Sequence, residues 1–168
     1  MSVANLLTLL RLLALPAILA LLSEGYVLAA VALYLAAALT DWVDGLVARR
    51  YGTITDFGKA FDPLVDRIFI GGTVLGLYFV VGVPPLWAAL LLVGRDLAMV
   101  AAWWAAQRRT GRQPSVSFIG KTSSALLMGA LPAIMLGWEV GLPAFYFALV
   151  FSLVAGLDYV VRGTKTFA

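Results

Sequence analysis

The chain has 168 residues, of which 62% are hydrophobic and 12% charged, with a net charge of +3. A charged share about half that of an ordinary soluble domain leaves too few polar residues to clothe a water-facing surface, so a bilayer is the expected solvent. The chain holds no cysteine and no histidine, which excludes disulfides, imidazole metal ligands and a histidine base, so any chemistry must run on carboxylates, Lys, Arg and hydroxyls.

Six apolar stretches are expected to form spanning helices, at residues 6–22, 27–48, 63–82, 86–107, 117–137 and 142–161. Each is near the ~20 residues that a bilayer crossing requires. The first begins at once, contains Arg11 and shows no small-residue cleavage site, which reads as mature sequence rather than a signal peptide. Its opening spaces Asn5, Thr8 and Arg11 three apart on one helical face. The second stretch ends in Asp41-Trp-Val-Asp44-Gly45-Leu-Val-Ala48-Arg49. The third is entered through Gly58 and carries Asp62 and Asp66. Arg95 and Asp96 lie inside the fourth, and Arg112 and Lys121 flank the start of the fifth. Pro16 and Pro132 fall within spans, where neighbouring helices tolerate a kink. No internal repeat or separate soluble domain is evident, so residues 1–168 are read as one all-α, six-helix transmembrane domain.

Orientation follows from the basic residues. The first, third and fifth loops carry only Glu24 and Glu139 as charges. Arg49, Arg50, Lys59, Arg108, Arg109, Arg112, Arg162 and Lys165 all fall in the second and fourth loop regions or the C-terminal tail. The positive-inside rule then places both termini in the cytoplasm.

The aspartates carry the chemistry. Asp41 and Asp44 are three apart at the end of one helix, and Asp62 and Asp66 four apart at the start of the next. Both spacings put side chains on one helical face. Helices joined by a short loop are expected to be neighbours, so four carboxylates can converge near the cytoplasmic interface. Such a cluster repels itself, and placing it at a membrane edge adds to the cost. A cation resolves both problems, and all-oxygen ligation favours Mg²⁺, Mn²⁺ or Ca²⁺. Four carboxylates can hold two ions, which can clamp a phosphate. Gly45 and Ala48 leave room beside the aspartates, Gly58 permits close backbone approach at the turn, and Arg49 can pair with a phosphate. Pairing of the carboxylates with Arg11, Arg67 or Arg95 is the competing structural explanation.

The pattern D-x2-D-G-x2-A-R-x8-G-x3-D-x3-D resembles the signature of the CDP-alcohol phosphotransferase family, matched here at Asp41, Asp44, Gly45, Ala48, Arg49, Gly58, Asp62 and Asp66. The resemblance implies transfer of a phosphatidyl or phosphoalcohol group from a CDP-linked donor to a hydroxyl, with CMP leaving. It implies Asp41, Asp44 and Asp62 as ligands of Mg²⁺ or Mn²⁺. Asp66 is implied as general base on the acceptor hydroxyl and, with the other three aspartates, as a metal contact. Gly45, Ala48 and Arg49 would face the CDP moiety. Asn5, Thr8 and Arg11 look like the N-x2-T-x2-R opening of bacterial phosphatidylglycerophosphate synthases and related cardiolipin synthases, a resemblance that implies contact with the nucleotide or phosphate of the CDP moiety. Residues 55–67 are also similar to the phosphatidylglycerophosphate synthase form.

The acceptor is less firmly marked. Arg95, Arg112 and Lys121 are candidates to bind an anionic acceptor. Gly94-Arg95-Asp96 departs from the G-R-E form towards one associated with cardiolipin synthases. Ser123 stands where a second Lys is usual. The leading expectation is phosphatidylglycerophosphate synthesis from CDP-diacylglycerol and glycerol 3-phosphate. Phosphatidylglycerol as acceptor, in a cardiolipin synthase, is the alternative, and a divalent-cation transporter is the alternative of another class. The family also implies a homodimer in the bacterial inner membrane with its site facing the cytoplasm, and no nucleic-acid partner.

Overall fold

Among its described residues, the computed structural model is all α, with six helices in chain order: α1 (Val3–Ser23), α2 (Val27–Tyr51), α3 (Asp56–Val81), α4 (Leu86–Thr110), α5 (Phe118–Met135) and α6 (Gly141–Lys165). It describes residues 3–51, 56–110 and 118–165, with side-chain surroundings for 10–40, 65–102, 104, 107, 108, 120 and 122–157. Among the described residues, no helix is long and apolar enough to cross a membrane.

Each expected apolar stretch overlaps one helix, with 117–137 running past the end of α5 into the turn at Leu136 and Gly137, but several helices outrun their apolar part. α2 continues to Tyr51, and α3 begins at Asp56 rather than near 63. Gly58 therefore lies in the first turn of α3, not in the turn before it. Hydropathy marks only where a helix is apolar, whereas backbone hydrogen bonding continues through charged turns. Aspartate is a favourable residue at a helix start, where it complements exposed N–H groups.

Two tight hairpins are closed by glycines in the left-handed region, Gly25 at φ 83° and Gly137 at φ 69°. Tyr26 N–H donates to Leu21 O at 2.8 Å and Gly25 N–H to Leu22 O at 3.1 Å. Trp138 N–H to Ala133 O and Gly137 N–H to Ile134 O repeat the arrangement, each at 3.0 Å. This double bond satisfies carbonyls that a helix end would otherwise leave open. α1 and α2 accordingly pack together closely, as do α5 and α6.

α3 lies between α1 and α4, and glycines set both distances. A methyl on Gly72 would stand 2.6 Å from Leu15 Cδ2, and one on Gly76 would stand 2.4 Å from both Leu19 Cδ atoms. Gly71 faces the other way, 3.2 Å from Val93 Cγ2 by the same measure. Small residues let helix backbones approach at such points. The rising order of the pairs, Leu15 with Gly72 and then Leu19 with Gly76, makes α1 and α3 run parallel. Arg11, one turn before Leu15, is thereby aimed at the start of α3.

The core is continuous across these elements. Tyr34 of α2 stacks on Phe69 of α3 with ring centroids 5.4 Å apart, and its hydroxyl donates to Met128 O of α5 at 3.3 Å. Ile18, Leu77, Leu92, Leu131 and Phe145 are buried around them. α5 packs on α2 and α3, while α6 packs on α4.

Candidate active site

The last turns of α2 carry Asp41, Asp44, Gly45, Ala48 and Arg49. The first turns of α3 carry Gly58, Asp62 and Asp66. The two helices join through residues 52–55, so both sets lie at one end of the bundle. The side chains of all these residues except Asp66 fall outside those described, as do those of Asn5 and Thr8. Among the described residues, no three potential ligands cluster as a metal centre. The donor set itself suits a hard divalent cation, being four carboxylates in two helical pairs.

Asp66 is described, and it is not alone. Arg11 Nη1 donates to Asp66 Oδ1 at 2.5 Å, with the Arg11 side chain 4% exposed and that of Asp66 35% exposed. Arg11 Nε also donates to Ala37 O of α2 at 3.4 Å. Ala37 is one helical turn before Asp41. One buried guanidinium thus ties α2 and α3 together beside the aspartate-bearing ends. The sequence placed Arg11 towards nucleotide or phosphate; the structure places it on a carboxylate, one of the pairings left open as the competing explanation.

A second polar cluster lies one helix further on. Asp96 of α4 accepts from Nη1 of Arg67 on α3 and from Nη1 of Arg95, the latter at 2.6 Å. Asp96 is buried, and the Arg95 side chain is 8% exposed. Two guanidiniums share one carboxylate, so among the described residues the cluster keeps a net positive charge. Nε and Nη2 of Arg95 are buried without a hydrogen-bond partner among the described residues. Nε faces α6, 3.4 Å from the point a Cβ on Gly156 would occupy. Because Arg67 follows Asp66 in α3, this cationic cluster neighbours the aspartate end of the bundle.

The remaining acceptor candidates are less informative. Arg112 lies outside the described residues, and Lys121 lies on α5 with its side chain outside them. Ser123 is buried, and its hydroxyl donates to Gly120 O at 2.8 Å. That position carries no cation and turns its hydroxyl inward onto its own helix. Arg108 stacks on Trp104, with the guanidinium carbon 3.4 Å from the ring centroid, a cation–π contact at the end of α4.

Sequence reasoning passed over Ser152 and Gly156 of α6, and Gly71, Gly72 and Gly76 of α3. Their signal was available. Gly72 and Gly76, and likewise Ser152 and Gly156, set small residues four apart on one face, the spacing of close helix approach.

A family model described as CDP-alcohol phosphatidyltransferase matches residues 1–155. The chain is similar to a cardiolipin synthase (CMP-forming) of Streptomyces coelicolor, 33% identical over 74% of this chain and 58% of that protein. It is similar to a probable phosphatidylglycerophosphate synthase of Mycobacterium tuberculosis, 32% identical over 98% of this chain and 82% of that one. A CDP-diacylglycerol–glycerol-3-phosphate 3-phosphatidyltransferase of Bacillus subtilis is 29% identical, covering 79% of this chain and 72% of its own length.

Proposed function

The chain belongs to the CDP-alcohol phosphatidyltransferase family, and from that membership we propose that it makes phosphatidylglycerophosphate from CDP-diacylglycerol and glycerol 3-phosphate, releasing CMP. The observation that carries this reading is the eight-position aspartate pattern on the joined ends of α2 and α3. The M. tuberculosis and B. subtilis relatives, which carry the synthase names, support the choice of acceptor.

In this reading a hydroxyl of glycerol 3-phosphate attacks the phosphatidyl phosphorus. Its proton passes to an Asp66 oxygen, a new P–O bond forms, and the P–O bond to CMP breaks with its electron pair leaving on CMP. Positioning Asp66 against the hydroxyl is worth about 10²–10⁴ in rate for general-base catalysis. Arg11 holds Asp66 near the start of α3. Asn5, Thr8, Gly45, Ala48, Arg49 and Gly58 surround the CDP moiety, and Arg95, Arg112 and Lys121 receive the acceptor's negative charge. Two Mg²⁺ or Mn²⁺ ions held by Asp41, Asp44, Asp62 and Asp66 would neutralise the diphosphate and make CMP a better leaving group.

The proposal includes a bacterial inner membrane, with both termini and the aspartate end in the cytoplasm, and a homodimer. Several observations support a lipid surround. Leu28, Phe79, Leu97, Phe147 and Leu157 stand largely exposed, far more apolar surface than water favours. Tyr26, Trp87 and Trp138 are exposed at the end opposite the aspartates, as an interfacial aromatic belt would be.

Assay of purified protein with CDP-diacylglycerol and Mg²⁺ or Mn²⁺ tests the reading through CMP release. Release with glycerol 3-phosphate is expected. Release with phosphatidylglycerol alone would instead make the chain a cardiolipin synthase, the reading that Gly94-Arg95-Asp96 and the S. coelicolor relative favour. No release with any acceptor would remove the transferase reading and return the divalent-cation transporter to consideration.

A further inference from the structure

We propose that Ser152 and Gly156 of α6 complete, with Arg95 of α4, a buried subsite for a phosphate oxyanion of the acceptor, and that Gly156 is a specificity-determining residue of it. The proposal rests on the transferase reading above and assigns part of its substrate contact to α6.

Three observations carry it. First, Arg95 spends only one nitrogen on Asp96, while Nε and Nη2 are buried and unpartnered among the described residues. A buried charged donor without an acceptor is costly, so such an arrangement calls for an anionic oxygen. Second, the cluster is not neutral, because Asp96 offsets one of the two guanidiniums it binds. Third, α6 presents a matching surface. Ser152 Oγ is itself buried without a partner among the described residues, and Gly156 stands four residues later on the same face. Only Arg95 Nε, at 3.4 Å, and Arg95 Cγ, at 3.7 Å, come within 4 Å of a Cβ on Gly156 among the described residues.

The missing Cβ has a specific consequence. An oxygen accepting from Nε stands about 2.9 Å from it. A methyl on residue 156 would make ordinary contact with Nε, displacing nothing, yet would occupy space beside the nitrogen in which that oxygen must stand. Gly156→Ala therefore separates ligand loss from structural damage. A glycerol phosphate seated here would place its phosphate at α4 and α6. Its hydroxyl would reach towards α3, where Asp66 precedes the Arg67 that shares Asp96.

The experiment compares wild type, Gly156→Ala, Ser152→Ala and the control Gly129→Ala, whose added methyl meets nothing within 4 Å. Each is assayed for CMP release and for thermal stabilisation by glycerol 3-phosphate, inorganic phosphate and phosphatidylglycerol. Gly156→Ala is expected to raise KM for glycerol 3-phosphate roughly tenfold or more, and Ser152→Ala about threefold, as expected for lost hydrogen bonds to an anion. KM for CDP-diacylglycerol and the unliganded melting temperature should match the control. Stabilisation by inorganic phosphate should weaken in both variants. Turnover with glycerol 3-phosphate in wild type, with KM unmoved in Gly156→Ala and Ser152→Ala, would overturn the subsite and leave the proposed function standing. Phosphate stabilisation that depends on Gly156, without turnover on glycerol 3-phosphate, would uphold the subsite and overturn that choice of acceptor. A change of melting temperature with no change in either KM or phosphate stabilisation would reduce Ser152 and Gly156 to packing residues.

Discussion

Arg11 of α1 and Asp66 of α3, 55 residues apart in sequence, are joined by a 2.5 Å ion pair at the aspartate end of the bundle. The same guanidinium reaches Ala37 O of α2. Three helices are therefore held together by a side chain whose partner is the proposed base.

Removing that guanidinium should cost both stability and rate. Arg11→Leu is expected to destabilise by roughly 1–3 kcal/mol, less than a fully buried pair because Asp66 retains solvent contact. Arg11→Lys should recover part of the loss, since an ammonium replaces the charge but not the two-pronged geometry. Denaturation in detergent and kcat measurements check both. A fall in kcat with little change in KM for CDP-diacylglycerol assigns Arg11 to Asp66, whereas a rise in that KM assigns it to nucleotide.

Asp66→Asn should lower kcat by about 10²–10⁴ while the folded helix content, read by circular dichroism, stays at the wild-type level. Full activity in this variant would remove Asp66 as the base.

Chelation with EDTA should abolish CMP release, and Mg²⁺ or Mn²⁺ should restore it. Wild type should also melt at a higher temperature with the ion present, by mass action on the folded state. Asp41→Asn and Asp62→Asn should lose that ion-dependent shift. Its persistence in both variants would show that the ion binds elsewhere.

Gly76→Ala should destabilise by about 1–3 kcal/mol through overpacking, because the new methyl meets Leu19 Cδ atoms at 2.4 Å. The pairing of α1 with α3 positions Arg11, so activity should fall with stability. Leu19→Ala in the same chain makes room for the methyl and should restore part of both, as a double-mutant cycle would measure.

The chain has no cysteine, so single introduced thiols report topology cleanly. Glu24→Cys and Glu139→Cys should react with a membrane-impermeant maleimide on intact cells. Thr164→Cys should react only after permeabilisation. The reverse pattern would invert the proposed orientation, and labelling of all three on intact cells would argue against a spanning arrangement.

How far the sequence could be read depended on the kind of signal. The six helices were visible because each carries an apolar run, yet the start of α3 was misplaced because Asp56, Lys59 and Asp62 interrupt its first two turns with charge and hydropathy does not register helical hydrogen bonding there. The family was visible because its pattern is local, eight positions over a short stretch. The second polar cluster was visible only as separate charges, since nothing in the order of Arg67, Arg95 and Asp96 states that two arginines share one carboxylate. Gly72, Gly76, Ser152 and Gly156 offered their spacing but not their partners, because a small face admits any helix that the topology brings near.

By itself the sequence determined the helix count, the reaction family and the four aspartates at the joined ends of α2 and α3, because periodicity, hydropathy and a contiguous motif are properties of neighbouring residues. Among the described carboxylates, the tertiary structure alone decided which cation answers which. Asp66 went to Arg11, and Asp96 to Arg67 and Arg95, leaving Arg95 with donors turned towards α6. Those pairings depend on helix register and approach, which the glycines of α3 set through contacts with residues far away in the chain.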